Sequence, residues 1–230
     1  MKLGVLLLCR YSSSRLPGKI LLPIEGKPLI WHIYQRLRKI MPAELLVICT
    51  STDPSDDQIE AYCKEQGWQY YRGDLNDVAG RFLAAAEQFD FSFATRINGD
   101  NLFVDLQALR QMANMAVQYK YDFISNVKDR SFPYGMSVEI VKTDFYRKVY
   151  QKMDTDYYKE HVTIYLYEHE EAGNRHYFFN EAVPAAAGLK LAVDTPEDLA
   201  KAKIIMAKLK DQDYEYDLQS LTQTIQSLDA

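Results

Sequence analysis

Hydrophobic residues along this chain fall into short uninterrupted runs separated by amphipathic stretches. Residues 3–9 form the first run, and they predict a buried β-strand. Residues 20–24 are apolar again, and Glu25-Gly26-Lys27-Pro28 reads as a turn. Pro28 then opens a helix to about residue 40, with Leu29, Ile30, Ile33, Leu37 and Ile40 on one face. A second strand is predicted over 45–50, and a helix over 56–66 that Gly67 closes. A third strand is predicted over 68–71, followed by a helix to about 88 capped by Asn76 or Asp77. Residues 91–97 read as a strand, 105–119 as a helix and 121–126 as a further strand. Strands alternating with helices in this way predict a mostly parallel sheet with helices on both faces.

The alternation breaks after residue 126. A loop at 131–135 leads to a predicted strand over 136–141 and a helix over 143–153. A tyrosine-rich helix is predicted over 156–171, then strands over 176–183 and 189–193. Asp194-Thr195-Pro196-Glu197 starts a helix to about 209, with Thr195 as its cap, and a short helix begins at Leu218. We expect one domain over residues 1–230, with a sub-lobe at about 130–185.

Composition narrows the classes of function. Of the 230 residues, 47% are apolar and 26% charged, an ordinary globular profile. The formal net charge of -5 argues against a surface built to coat nucleic acid or an anionic membrane. No apolar run approaches the roughly 20 residues that span a bilayer, and residues 1–10 do not read as a signal peptide. Cys9, Cys49 and Cys63 have no paired spacing, so we expect reduced thiols and a cytoplasmic protein.

In a parallel sheet of this kind ligands bind beyond the carboxyl ends of the strands. Three loops lie there by topology: 10–19, 72–77 and 98–101. The first, Arg10-Tyr11-Ser12-Ser13-Ser14-Arg15-Leu16-Pro17-Gly18-Lys19, brings three cations, three serine hydroxyls and a Pro-Gly turn. Arg offers a planar fork for phosphate oxygens and Lys a compact charge, so the loop suits a polyphosphate. A solvated loop would also carry such residues. It matches neither G-x-x-x-x-G-K-[ST] nor G-x-G-x-x-G, so side chains rather than a glycine cradle would hold the phosphates.

Asp100 sits on the Asn98-Gly99-Asp100-Asn101 turn, and Asp194 ends a predicted strand ahead of a capped helix. A nucleotide triphosphate brings Mg²⁺, which takes one or two carboxylates besides phosphate oxygens and water. Asp100 is the leading ligand and Asp194 the second; a turn residue and a helix-terminal charge are the plainer readings. His161 is read either as packing or as a substrate contact. No Cys/His cluster has zinc spacing.

At this point the residues match a family. Arg10-x-x-Ser13-x-Arg15-Leu16-Pro17-Gly18-Lys19-x-Leu21, followed by Gly26-Lys27-Pro28-Leu29-Ile30, resembles the sugar cytidylyltransferases. Among these the chain looks closest to the branch of spore-coat polysaccharide biosynthesis proteins. The likeness continues at Gly73-x-x-x-Asp77-Val78 with Arg81-Phe82, Arg96-x-x-Gly99-Asp100, Pro133-x-Gly135-x-x-x-Glu139, Glu160-His161-Val162-Thr163 and Val193-Asp194-Thr195-Pro196-Glu197-Asp198-Leu199.

The resemblance implies a Rossmann-like nucleotide-diphospho-sugar transferase fold. It implies transfer of CMP from CTP to a small acidic sugar, with Mg²⁺ as cofactor and a homodimer as the assembly. Carried over by position, Arg10, Ser13, Arg15 and Lys19 would hold the triphosphate. Arg72 and Asp77 would lie in the loop facing the base, and Glu139 and His161 beside the acceptor. Lys19, Arg10 and Asp100 would be the catalytic groups, and Asp100 and Asp194 the metal ligands. Two other readings stand beside this one. A glycosyltransferase of related fold would want an Asp-x-Asp pair where this chain has Asn98-Gly99-Asp100, and a non-catalytic nucleotide-binding homologue would show losses among these residues.

Overall fold

A computed structural model describes residues 1–229, so Ala230 of the expected domain lies outside it. β1 (Leu3–Leu8), β4 (Leu46–Ser51), β5 (Gln69–Gly73) and β6 (Phe93–Asn98) run parallel and form one side of a single sheet, with β5 at its edge. The small ribbon β2 (Pro23–Ile24) and β3 (Lys27–Pro28) stands apart from it. The sheet is completed by β7 (Phe123–Ser125), β8 (Glu139–Lys142) and β9 (Arg175–Tyr177), in the order β5-β4-β1-β6-β8-β7-β9.

β1 and β4 read as continuous apolar runs because both faces of the sheet are covered. The period of two survives inside them. Val5, Leu7, Leu46 and Ile48 enter one core, whereas Leu6, Leu8, Val47 and Cys49 enter the other. α1 (Leu29–Arg38), α2 (Asp57–Gln66), α4 (Leu106–Tyr119), α8 (Pro196–Leu209) and α9 (Leu218–Asp229) supply the first core. α3 (Val78–Gln88), α5 (Thr143–Tyr150) and α7 (Ile164–Glu168) supply the second, with the short α6 (Asp156–Glu160) beside them. This is the mostly parallel, doubly covered sheet that the sequence predicts.

The second half departs from expectation in three places. β8 runs antiparallel to both β6 and β7, because no crossover helix separates it from β7. The helix expected over 156–171 is broken at residues 161–163. There Tyr146 Oη takes the carbonyl of Val162 at 2.6 Å and Thr163 Oγ1 donates to Glu139 at 2.7 Å, which pulls the backbone out of the helical ladder. The strands expected over 176–183 and 189–193 shrink to β9 and to an extended segment that makes a single bridge, between Tyr134 and Lys190.

That segment still has a structural task. Leu189 O and Leu191 N bond to Tyr134, and Val193 N donates to Asp100 O at 3.2 Å. Gly135 has φ +89°, and a Cβ there would lie 2.3 Å from Ala192 N. Only a glycine lets the two strips approach so closely.

Candidate active site

β1 is flanked by β4 on one side and β6 on the other, so the chain changes direction across the sheet at β1. In open α/β sheets the crevice at such a switch point is where ligands bind. Leu8 and Asn98 end the two strands in register, and Gly99 N donates to Leu8 O at 2.8 Å. A cavity of about 380 Å³ opens directly above.

The loop after β1 is held in place before any ligand arrives. Tyr11 N donates to the buried Asp56 carboxylate at 2.6 Å, and Tyr11 O accepts from Ser13 N and Gly18 N at 2.9 Å each. Gly18, at φ 68°, then turns the chain into a short 3-10 segment that begins at Lys19. Arg10, Ser13, Arg15 and Lys19 consequently line the cavity together with Asp100, His161 and Asp194.

Lys19 is the junction of the charges. Its Nζ lies 2.8 Å from Asp194 Oδ1 and 3.9 Å from Asp100 Oδ2. Arg15 reaches Asp194 Oδ2 at 3.0 Å, and Arg10 stands 3.9 Å from Glu160. Burial pushes the Asp100 carboxyl above the usual aspartate range; Lys19 opposes that shift and Asp194 adds to it. Asp100 Oδ1 is buried and has no hydrogen-bond partner among the described residues. Two converging carboxylates, one with a spare buried oxygen, are the donor set a hard divalent cation takes. The residues therefore fit Mg²⁺, with phosphate oxygens and water to complete its shell.

A second cavity of about 480 Å³ adjoins the first and is lined by Glu139, Thr163, Tyr167, Lys128 and Arg130. Arg96, Asn98 and His161 line both. His161 sits at the carboxyl end of α6 with its ring edge-on to Tyr157, 5.0 Å between centroids.

Arg72 and Asp77 line neither cavity, contrary to the expectation for a loop facing the base. Arg72 is drawn back onto α2, pairing with Glu60 and with Asp57 at 2.8 Å and donating to Ser51 O at 2.7 Å. Asp77 caps α3 by accepting from Gly80 N at 2.7 Å, and Tyr150 Oη donates to its other oxygen. From the same stretch it is Val78 and Arg81 that face the first cavity. Arg96, Asn98 and Glu160 are among the further lining residues that the sequence reading did not single out as site residues. A signal for two of them exists, because the period of two along β6 puts Arg96 and Asn98 on one face.

Known proteins share this sequence and this fold. The chain matches the family described as Cytidylyltransferase over residues 5–221. The spore coat polysaccharide biosynthesis protein SpsF of Bacillus subtilis is 31% identical over 207 residues, covering 86% of this chain and 84% of that protein. An 8-amino-3,8-dideoxy-manno-octulosonate cytidylyltransferase of Shewanella frigidimarina is 40% identical over 62 residues, 27% of this chain and 25% of the relative. Among solved structures, a cytidylyltransferase from Leptospira borgpetersenii serovar Hardjo-bovis superposes with a TM-score of 0.91 at 28% identity, over 99% of this chain and 94% of that one. CMP:2-keto-3-deoxy-manno-octonic acid synthetase complexed with CTP shares the fold, with a TM-score of 0.67 at 18% identity over 90% of this chain and 99% of that one. With a basic loop and two carboxylates gathered at the switch point of its sheet, and with this extent of matching sequence, the chain belongs to the cytidylyltransferase family.

Proposed function

We propose that the protein transfers CMP from CTP to a small acidic sugar, releasing pyrophosphate, in the synthesis of a cell-surface or spore-coat polysaccharide. The observation that carries the reading is the convergence of Lys19 on Asp100 and Asp194 beneath the loop bearing Arg10, Ser13 and Arg15. The names of the spore-coat and octulosonate relatives support the acceptor class.

The acceptor hydroxyl attacks the α-phosphorus of CTP in line; the new O–P bond forms as the bond to the β-phosphate oxygen breaks. Pyrophosphate leaves and the hydroxyl proton is released to water. Positioning and charge stabilisation dominate such a transfer. Arg10, Arg15 and Lys19 hold the triphosphate and take up the charge that grows on the departing pyrophosphate. Asp100 and Asp194 would hold Mg²⁺. The chemistry that ion supplies when bound is neutralisation of phosphate charge and a lower pKa for the attacking hydroxyl. His161 borders both cavities, which supports its proposed contact with the acceptor.

The assembly we propose is a homodimer through the 130–185 region, whose exposed Tyr134, Tyr157 and Phe179 support it. The compartment we propose is the cytoplasm, in keeping with three free, buried cysteines. A screen for pyrophosphate release that crosses four nucleoside triphosphates with a panel of sugar acids and sugar phosphates tests the reading. Release with CTP and a sugar acid is the expected result. Release with no pair, from protein that binds nucleotide, would leave a non-catalytic homologue.

A further inference from the structure

Arg96 and Glu139 face each other across the antiparallel pair β6–β8, and Ser125 of β7 sits opposite Glu139 on its other side. Glu139 is 2% exposed, and protein donors engage both of its carboxylate oxygens. Thr163 Oγ1 and Tyr167 Oη each donate to Oε1 at 2.7 Å, and Arg96 Nη1 donates to Oε2. A buried carboxylate with all these donors has no free edge to offer a ligand without losing protein bonds.

The guanidinium it grips is different. Arg96 Nε is buried and unpartnered, and Nη1 is committed to Glu139 and Thr163. Nη2 is then the one guanidinium nitrogen that is neither bonded within the protein, among the described residues, nor fully buried, on a side chain 21% exposed. Glu139 and Thr163, which bond Arg96, and Tyr167, which bonds Glu139, line the second cavity and not the first. They fix the guanidinium at the wall between the two cavities, both of which Arg96 lines, while Arg10, Arg15 and Lys19 already supply the charge of the first. The other cations of the second cavity are engaged elsewhere. Lys128 pairs with Glu170 at 2.6 Å, and Arg130 stacks over Tyr134 with 4.7 Å to the ring centroid.

We propose that Arg96 receives the anionic group of the acceptor, and that Glu139 is a positioning residue that fixes Arg96 rather than a substrate contact. This rests on the cytidylyl-transfer reading above and names the side chain that selects the acceptor. An arginine on a strand, clamped by a cross-strand carboxylate, holds its free edge to a narrow range of directions. An anion seated on that edge brings the acceptor to the junction of the two cavities, where the α-phosphate of the nucleotide must also lie.

The test is acceptor binding to protein saturated with α,β-methylene CTP, which cannot release pyrophosphate. The probes are a 3-deoxy-ulosonic acid and N-acetylneuraminic acid with their methyl esters, and a sugar 1-phosphate with its free sugar, so that carboxylate and phosphate are separated. Wild type is expected to bind the anion of at least one pair about 30-fold tighter than its neutral partner, the size of one charged hydrogen bond. Arg96→Gln is expected to reduce that ratio to about threefold or less while nucleotide affinity stays within about threefold. Glu139→Gln is expected to lower the ratio by a smaller factor. The double variant Arg96→Gln, Glu139→Gln leaves no unpaired buried charge and is expected to match Arg96→Gln. The proposal is overturned if the double variant keeps the wild-type ratio or if wild type shows no anion preference in any pair. It is also overturned if Arg96→Gln loses nucleotide affinity with acceptor binding unchanged. Arg96-dependent binding of an acid that never gives pyrophosphate from CTP would overturn the reaction and leave this assignment standing.

Discussion

Lys19 and Asp194 lie 175 residues apart in the chain, and the lysine Nζ donates to the aspartate carboxylate at 2.8 Å. The contact joins the loop after β1 to the turn before α8. It places a cation of the loop proposed to bind phosphate on a carboxylate proposed to hold the metal, so both are positioned before substrates arrive. Lys19 is 15% exposed and Asp194 16%, which shelters the pair from solvent screening.

If these groups do the chemistry, charge removal is costly there. Asp100→Asn, Asp194→Asn and Lys19→Ala are each expected to slow pyrophosphate release by about 10²–10³-fold. Asp100→Asn should leave the thermal midpoint unchanged or higher, because it removes a buried carboxylate that burial already disfavours. Steady-state rates beside melting curves for the same samples check this. Near wild-type turnover in Asp100→Asn would refute the metal assignment.

Gly135→Ala tests the seam that carries Asp194. The new methyl would meet Ala192 N at 2.3 Å from a backbone at φ +89°. Strain and clash together should cost at least about 2 kcal/mol. Urea unfolding would measure the loss, and activity should fall further than stability because the 189–193 segment must shift.

Thr195→Ala removes half of a capping box. Thr195 Oγ1 accepts from Asp198 N at 3.2 Å, while Asp198 Oδ2 accepts from Thr195 N at 2.9 Å and from Asp194 N at 3.1 Å. Loss of the cap should cost about 1 kcal/mol, a fall of roughly 2–4 °C in thermal midpoint for a chain of this size. Thr195→Ser should restore it.

The reassignment of Arg72 to a structural network gives a pH prediction. Hydrogen bonds from Lys64, Arg72 and Tyr70 lower the Glu60 pKa from 4.5 to about 2. A lowered carboxyl pKa stabilises the fold fully above the unfolded value and loses that contribution as pH falls through the folded one. The stability gap between wild type and Glu60→Gln should therefore be constant near neutrality and shrink from about pH 4.5 downward. Denaturant midpoints of both proteins across that range measure it, and CTP affinity should be unchanged in the variant.

The first half of the fold was legible because β1 and β4 are largely apolar buried runs and each helix carries its own cap or face. The direction of β8 was not, since residues 139–142 would look the same in either orientation; only their pairing with β6 and β7 decides it. The break at residues 161–163 depends on Tyr146 and Glu139, partners too distant in sequence for any periodicity to reveal. Of the site, the basic loop and both aspartates stood out as residue types at strand ends. Arg72 was assigned by family position alone, and position says nothing of the acids on α2 that claim it. Arg81 and Arg96 belong to the motifs that carry the family likeness, but both lie inside regular elements and neither was assigned a role from sequence.

The bond from Val193 N to Asp100 O closes the active site with a residue that emerges late from the ribosome. By then β1, β4, β5 and β6 have long been available to pair, yet the second carboxylate is still missing. Most residues that line the first cavity thus precede Asp194 in synthesis, and the two carboxylates come together only when the 189–194 segment docks. The appearance of turnover during refolding should mark the last docking step, after the central sheet has already formed.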